Sequence, residues 1–207
     1  MQVTCALPYG PAVDMTDGVA ARLAAVCVDR RGRLRRFDIW DAAARGAVLV
    51  DLVLAGRLVD EPDRVTVDPL PTGFPPADRF LAATEVEAGA AMTWWVDHAP
   101  VRMRDVAVAC VAAGRWTARR TLLGTRYAVP AQARPGSPDD PVAAAVEVLA
   151  TACGARGRPP QPVDEQDLAT TGPLRWICGT VTDHLTQAHR RNLGAAGAAD
   201  GGTVPYY

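Results

Sequence analysis

Twice in this chain a run of apolar residues at helical spacing ends in a glycine–arginine pair and gives way to a short, turn-bounded segment. The two junctions read Leu54-Ala55-Gly56-Arg57-Leu58 and Ala112-Ala113-Gly114-Arg115-Trp116. Glycine accepts the left-handed conformation that closes a helix, so each junction marks a helix end. After the first, Leu58-Val59 and Val65-Thr66-Val67 flank the turn-rich Asp60-Glu61-Pro62-Asp63; after the second, Trp116 to Leu122 can pair back on Thr125 to Val129 across Gly124. Both patterns read as hairpins. Two such helix-plus-hairpin units suggest an ancient duplication. They predict a mostly α fold: a single-domain helical bundle with short β-hairpins, the prominent one near residues 116–129.

The remaining periodicity agrees. Val19 to Val28 is apolar and stops at the turn Asp29-Arg30-Arg31-Gly32, and Ala44, Val48, Leu52 and Ala55 recur at helical spacing within a helix expected from about Asp41 to Ala55. Further helices are expected over Pro76 to Ala90, Val101 to Ala113, Val142 to Cys153 and Pro173 to Asn192. The stretch from Pro69 to Pro76, residues 130–141, and Gly154 to Asp164 are rich in proline or glycine and read as loops. Residues 1–17 are expected to form a flexible leader, 18–192 the helical domain, and the glycine- and alanine-rich 193–207 a flexible tail.

At 207 residues and 21.9 kDa the chain can bury one core without disulfides. Hydrophobic residues at 49% and charged residues at 22% lie near the globular average, which excludes wholesale disorder. Alanine fills 38 positions and lysine none, so all 22 basic residues are arginine, set against 23 acids. Every cationic group is therefore a planar, permanently charged fork suited to phosphate or carboxylate. The net charge of −1 gives no reason to expect nonspecific nucleic-acid binding. Cys5, Cys27, Cys110, Cys153 and Cys178 are odd in number and form no C-x-x-C; they read as buried thiols in a reducing compartment. The apolar stretch Ala47 to Ala55 is broken by Asp51 and is too short to span a bilayer, and no signal-peptide pattern opens the chain. A cytoplasmic protein that meets a membrane only from its inner face is expected.

The residues offer little for catalysis. His184 and His189 lie five apart, about 140° around a helix, and cannot share a metal from one face. His98 stands alone, and no H-E-x-x-H, G-x-S-x-G, phosphate loop or G-x-G-x-x-G occurs. No catalytic group, metal or cofactor is expected, and Asp139-Asp140 between prolines reads as a pair of solvated turn carboxylates. The arginines carry more information. Arg30, Arg31, Arg33, Arg35 and Arg36 precede Phe37 and Trp40. Arg115, Arg119, Arg120 and Arg126 decorate the later hairpin, whose tip carries Leu122-Leu123. The first cluster is either a solvated turn balanced by Asp29 and Asp38 or part of an anion site. Arginines beside two tip leucines suit membrane contact or self-association; the alternative is that the leucines fold back on their own domain. Trp40 with Arg45 reads either as core packing plus a surface pair with Asp41, or as a shallow pocket where an aromatic ring flanks a headgroup and an arginine fork takes its phosphate.

Asp29-Arg30-Arg31-Gly32, Phe37, Trp40 and the run Ala44-Arg45-Gly46-Ala47-Val48-Leu49-Val50-Asp51-Leu52-Val53-Leu54-Ala55-Gly56-Arg57-Leu58 resemble the opening of the Golgi phosphoprotein 3 family. The likeness continues through Val65-Thr66-Val67-Asp68, Pro71-Thr72-Gly73 and the helix that ends at Gly114. It spans roughly residues 18–130, and the lysine-free composition fits a bacterial, actinobacterial member. The resemblance implies a mostly helical domain with a prominent hairpin that binds phosphatidylinositol 4-phosphate on membranes and adapts glycosyltransferases to carriers. It also implies a lipid pocket built from Trp40 and Arg45, with Arg102 and Arg104 from the helix before the hairpin. On a regular helix Arg102 and Arg104 would point about 200° apart. Either that segment begins as non-helical chain, or one arginine leaves the pocket. The hairpin corresponds to the element used for self-association and membrane contact, which implicates Arg119, Arg120, Leu122, Leu123 and Arg126.

The reading that results is a peripheral, non-catalytic module for anionic phospholipid headgroups, able to form a homo-oligomer through its hairpin. Two other classes stay open. A helix followed by a basic hairpin also outlines a winged helix on nucleic acid, although Val106 to Ala113 is too apolar for a recognition helix. A protein-binding scaffold could use Trp94-Trp95 or the hairpin.

Overall fold

The computed structural model describes residues 14–61, 64–87, 89–122, 124–131 and 140–200. Its centre is α2 (Asp38–Leu54), whose residues from Ala47 to Leu54 are all buried. A helix apolar on every side must be wrapped by others, and α2 packs against α1 (Val19–Cys27), α3 (Pro75–Val86), α4 (Met92–His98), α5 (Met103–Ala112), α6 (Pro141–Cys153) and α8 (Arg175–Asp200). Small side chains allow that density. A Cβ added at Gly46 would sit 2.3 Å from Cγ1 of Val181 on α8. Burying each Leu or Val of α2 contributes about 1.5–3 kcal/mol.

Asp51 interrupts the apolar run for a structural reason. Its Oδ1 accepts from the amide of Val19 at 2.7 Å and its Oδ2 from Ala20 at 3.0 Å, so a fully buried carboxyl caps the first turn of α1. Gly18 makes room for it, since a Cβ there would lie 2.4 Å from Oδ1. Burial raises the Asp51 pKa to about 7, against the opposing pull of the two amides.

The two glycine-stopped units form as the junctions imply. α2 leads through Gly56 (φ 65°) into the antiparallel pair β1 (Leu58–Glu61) and β2 (Arg64–Val67); α5 leads through Gly114 (φ 71°) into β3 (Thr117–Thr121) and β4 (Gly124–Ala128). Trp116 and Tyr127, buried with ring centroids 6.3 Å apart, root the second hairpin in the core. A small helix α7 (Glu165–Ala169) precedes α8.

Several boundaries differ from expectation. Gly124 is not the turn but the first residue of β4, paired with Thr121, and Leu122 stands in the turn. Trp94-Trp95 lies inside α4: Trp95 packs on Phe80 at 6.2 Å, while Trp94 stacks on His98 at 4.7 Å. Hydrophobic spacing over so short a segment gave no helical signal of its own. Residues Met15–Asp17 form a 3-10 turn with Met15 buried, so the end of the expected leader is packed structure. α8 runs to Asp200, eight residues past the expected Asn192, because an alanine-rich sequence propagates a helix that tertiary packing has already started. Residues 1–13, Cys5, most of the 130–141 loop and 201–207 lie outside the described residues.

Candidate anion-binding site

The segment between α1 and α2 folds as a tight turn around Asp29. Its Oδ1 accepts from the amides of Arg31 (2.8 Å) and Arg33 (2.9 Å), its own amide donates to the Arg33 carbonyl at 2.9 Å, and Gly32 donates back to the Asp29 carbonyl. A bridge between Val28 and Leu34 closes the loop. These amides, the Arg33 bond foremost, hold the Asp29 carboxyl below its ordinary pKa. Gly32 has φ 74°, and its carbonyl accepts from the Tyr127 amide at 2.7 Å; a Cβ there would lie 2.7 Å from the Tyr127 carbonyl oxygen. The turn is thus pinned against β4 and displays its arginines beside the hairpin.

The N-terminus of α5 supplies the facing wall. Arg102 is the N-cap, in extended conformation (φ −122°, ψ 157°), and Arg104 lies in the first turn. The segment therefore does begin as non-helical chain, and both arginines line one cleft. Asp105 accepts from the Arg102 amide at 3.0 Å, and Asp41, at the start of α2, accepts from the Met103 amide at 2.9 Å. Asp105 also meets Arg79 of α3 at 3.5 Å.

The cleft has a volume of about 1050 Å³. Arg30, Arg31, Arg33, Arg35 and Arg36 line it from the turn, Arg102 and Arg104 from α5, and Thr125 and Tyr127 from the hairpin. Its apolar floor includes Leu34, Met103 and the half-exposed Val108. The three lining carboxylates, Asp29, Asp41 and Asp105, each accept main-chain amides. Among the described residues none of the seven cleft guanidiniums forms an ion pair. Seven forks around a groove of ligand size make a strongly positive concavity, chemically suited to phosphate.

Trp40 and Arg45 do not line this cleft. Trp40 is buried, with Nε1 donating to the Cys153 carbonyl at 3.1 Å and its ring edge-on to Phe37 at 4.8 Å. The Arg45 guanidinium donates from Nε to the Val96 carbonyl and from Nη1 to the Val101 carbonyl at 3.3 Å, and burial lowers its pKa. It thereby ties down the connection that delivers Arg102. On the hairpin, Arg119, Arg120 and Arg126 are exposed and Leu122 is fully exposed at 106%; Leu123 lies outside the described residues.

The histidines are apart from the cleft. His184 contacts Asp97 at 2.7 Å across α8 and α4, His98 contacts the Trp94 carbonyl at 2.9 Å, and no cluster of three metal-ligating side chains occurs among the described residues. Among them, too, no helix is long and apolar enough to cross a membrane.

The sequence model of the Golgi phosphoprotein 3 (GPP34) family matches residues 20–191, most of the chain and all the elements that build the cleft. The chain belongs to that family. No curated protein and no solved structure gives a significant match. Golgi phosphoprotein 3 domains are in general non-enzymatic modules that bind lipids and proteins. In this member, the turn and the start of α5 place a basic cleft beside the hairpin. The five turn arginines were visible in the sequence as a cluster, but nothing in it joined them to Arg102 and Arg104. The bonds that set the two walls are made by main-chain amides: Tyr127 to the Gly32 carbonyl docks the turn on β4, and Met103 to Asp41 fixes the start of α5.

Proposed function

We propose that this protein is a peripheral, non-catalytic membrane module that binds anionic phospholipid headgroups of the phosphatidylinositol 4-phosphate type, acting on the cytoplasmic face. The observation that carries this reading is the convergence on one cleft of seven guanidiniums that form no ion pair among the described residues. The arginines take headgroup phosphate through paired N–H donors, and the exposed Leu122 at the adjacent hairpin tip enters the acyl boundary. Self-association through the hairpin would present several clefts to one surface, multiplying weak contacts. A winged-helix mode on nucleic acid is disfavoured because Val106, Ala107, Ala109 and Cys110 of α5 are buried, leaving no polar recognition face.

Liposome co-sedimentation tests the reading. Phosphatidylcholine vesicles with and without phosphatidylinositol 4-phosphate or cardiolipin are compared at low and high salt, using the parent protein and the Arg102→Ala/Arg104→Ala variant. Salt-sensitive binding to anionic vesicles, lost in the variant, is the expected result. Failure to bind any anionic vesicle would sink it and direct attention to protein partners of the hairpin.

A further inference from the structure

On the other side of the Arg31-Gly32 turn lies a second, smaller groove of about 340 Å³, bounded by that turn and by the hairpin strands. Three arginines from three backbone segments line it: Arg31, Arg119 and Arg126. Two of them are held together by sheet register. Arg119 and Arg126 are directly paired across β3 and β4, and directly opposed residues of an antiparallel pair project from the same face. Like charges in that position repel, and neither forms an ion pair among the described residues. The docked turn adds a third positive charge. A Cβ built on Gly32 would lie 3.6 Å from the Arg126 Cβ, so the turn abuts the root of that side chain.

We propose that this groove is a second anion subsite, which takes a phosphate group between Arg31, Arg119 and Arg126. A bound phosphate relieves the cross-strand repulsion and gives the guanidiniums an acceptor they share. Arg31 lines both the groove and the main cleft, so the two subsites are adjacent and can be filled by two phosphates of one anionic surface. The phosphate can come from a lipid headgroup or from a soluble anion. The two subsites share Arg31, but Arg102 and Arg104 line only the main cleft and Arg119 and Arg126 only the groove, so each can be removed separately.

The test is amide NMR of the full chain titrated with inorganic phosphate at constant ionic strength, together with vesicle binding to phosphatidylcholine containing phosphatidylinositol 4-phosphate. It uses the parent, Arg119→Gln/Arg126→Gln and Arg102→Ala/Arg104→Ala. Both replaced hairpin residues are exposed, and the unshifted amides of the buried core serve as the check on folding. The expected result is that phosphate shifts the amides of Gly32, Thr117 and Arg126, that the hairpin variant loses these shifts while keeping those at Arg102 and Arg104, and that vesicle affinity falls about fivefold for each arginine removed. Groove shifts with phosphate but unchanged vesicle affinity in the hairpin variant would support the subsite with a soluble anion as its source. A groove silent to phosphate, with vesicle affinity lowered in the hairpin variant, would support it with a lipid source. If the cleft responds while the groove stays silent to both probes, or if groove shifts survive in the hairpin variant, the second subsite is overturned and the headgroup reading stands. If neither region responds to either probe, both fall.

Discussion

Asp51 Oδ1 accepts from the Val19 amide at 2.7 Å, a carboxyl from the middle of one buried helix capping the start of another. Because its folded pKa is raised to about 7, the native state holds a proton that the unfolded chain has released at about pH 4. Stability should therefore fall as pH rises from about 4 to about 7, with a slope of at most about 1.4 kcal/mol per pH unit from this group. Asp29 acts in the opposite sense: its folded pKa is lowered, so its contribution disappears as pH falls through the ordinary carboxylate range. Urea titrations across pH 3–8 should show greatest stability in mildly acidic solution. Asp51→Asn should flatten the fall above about pH 4, and an unchanged slope would refute the assignment.

Gly46→Ala should destabilise the fold by about 1–3 kcal/mol, since the new methyl meets Val181 at 2.3 Å where α2 crosses α8. A urea midpoint unchanged from the parent would show that the two helices can part without cost.

Arg45→Ala separates two roles that the sequence leaves joined. If Arg45 holds the carbonyls of Val96 and Val101, its removal lowers stability by about 3 kcal/mol along with vesicle binding, and lysine rescues poorly. Loss of vesicle binding at unchanged melting temperature would instead mean that Arg45 touches the headgroup directly.

Gly32→Ala forces a side chain into a left-handed turn and against the Tyr127 carbonyl. Vesicle affinity should drop about tenfold, the size expected from displacing one or two arginines, and stability should fall by about 1–3 kcal/mol, because the strained φ and the clash with backbone loosen the turn's hold on β4. Thermal denaturation and co-sedimentation on the same preparation check both halves.

Leu122→Ser should weaken vesicle binding at high and low salt alike, whereas Arg102→Ala/Arg104→Ala should matter mainly at low salt, because only the ionic part is screened. Co-sedimentation at the two salt levels reads the difference.

The helical core was legible in the sequence because its signals are local: a 3.6-residue period, a glycine stop and a turn cluster each act within a few residues. That suffices for α2, α5 and both hairpins. The second hairpin's strand ends each fall one residue earlier than the spacing suggests, since Gly124 can serve equally as a turn or as a strand end and here pairs with Thr121. The site was less legible. Trp40 and Arg45 carry the residue types of a headgroup pocket, yet which way each points depends on Cys153 and Val101, far away in sequence. Arg102 and Arg104 looked incompatible at helical spacing, and the extended backbone of Arg102 resolves the conflict. That backbone is fixed by Asp41, sixty-two residues upstream of Met103, through a bond no short window contains.

The main cleft is lined by seven arginines and no histidine. Guanidiniums keep their proton throughout the physiological range, so their charge is constant while a phosphate monoester gains its second negative charge near pH 6. The titration curve of binding is then a property of the ligand. Affinity that climbs through about pH 6 would mark a terminal phosphate, as on a phosphorylated sugar ring, and affinity flat across that range would mark a diester such as the backbone of an ordinary phospholipid. A cleft whose cations are all guanidiniums becomes an indicator for the chemistry of what it holds.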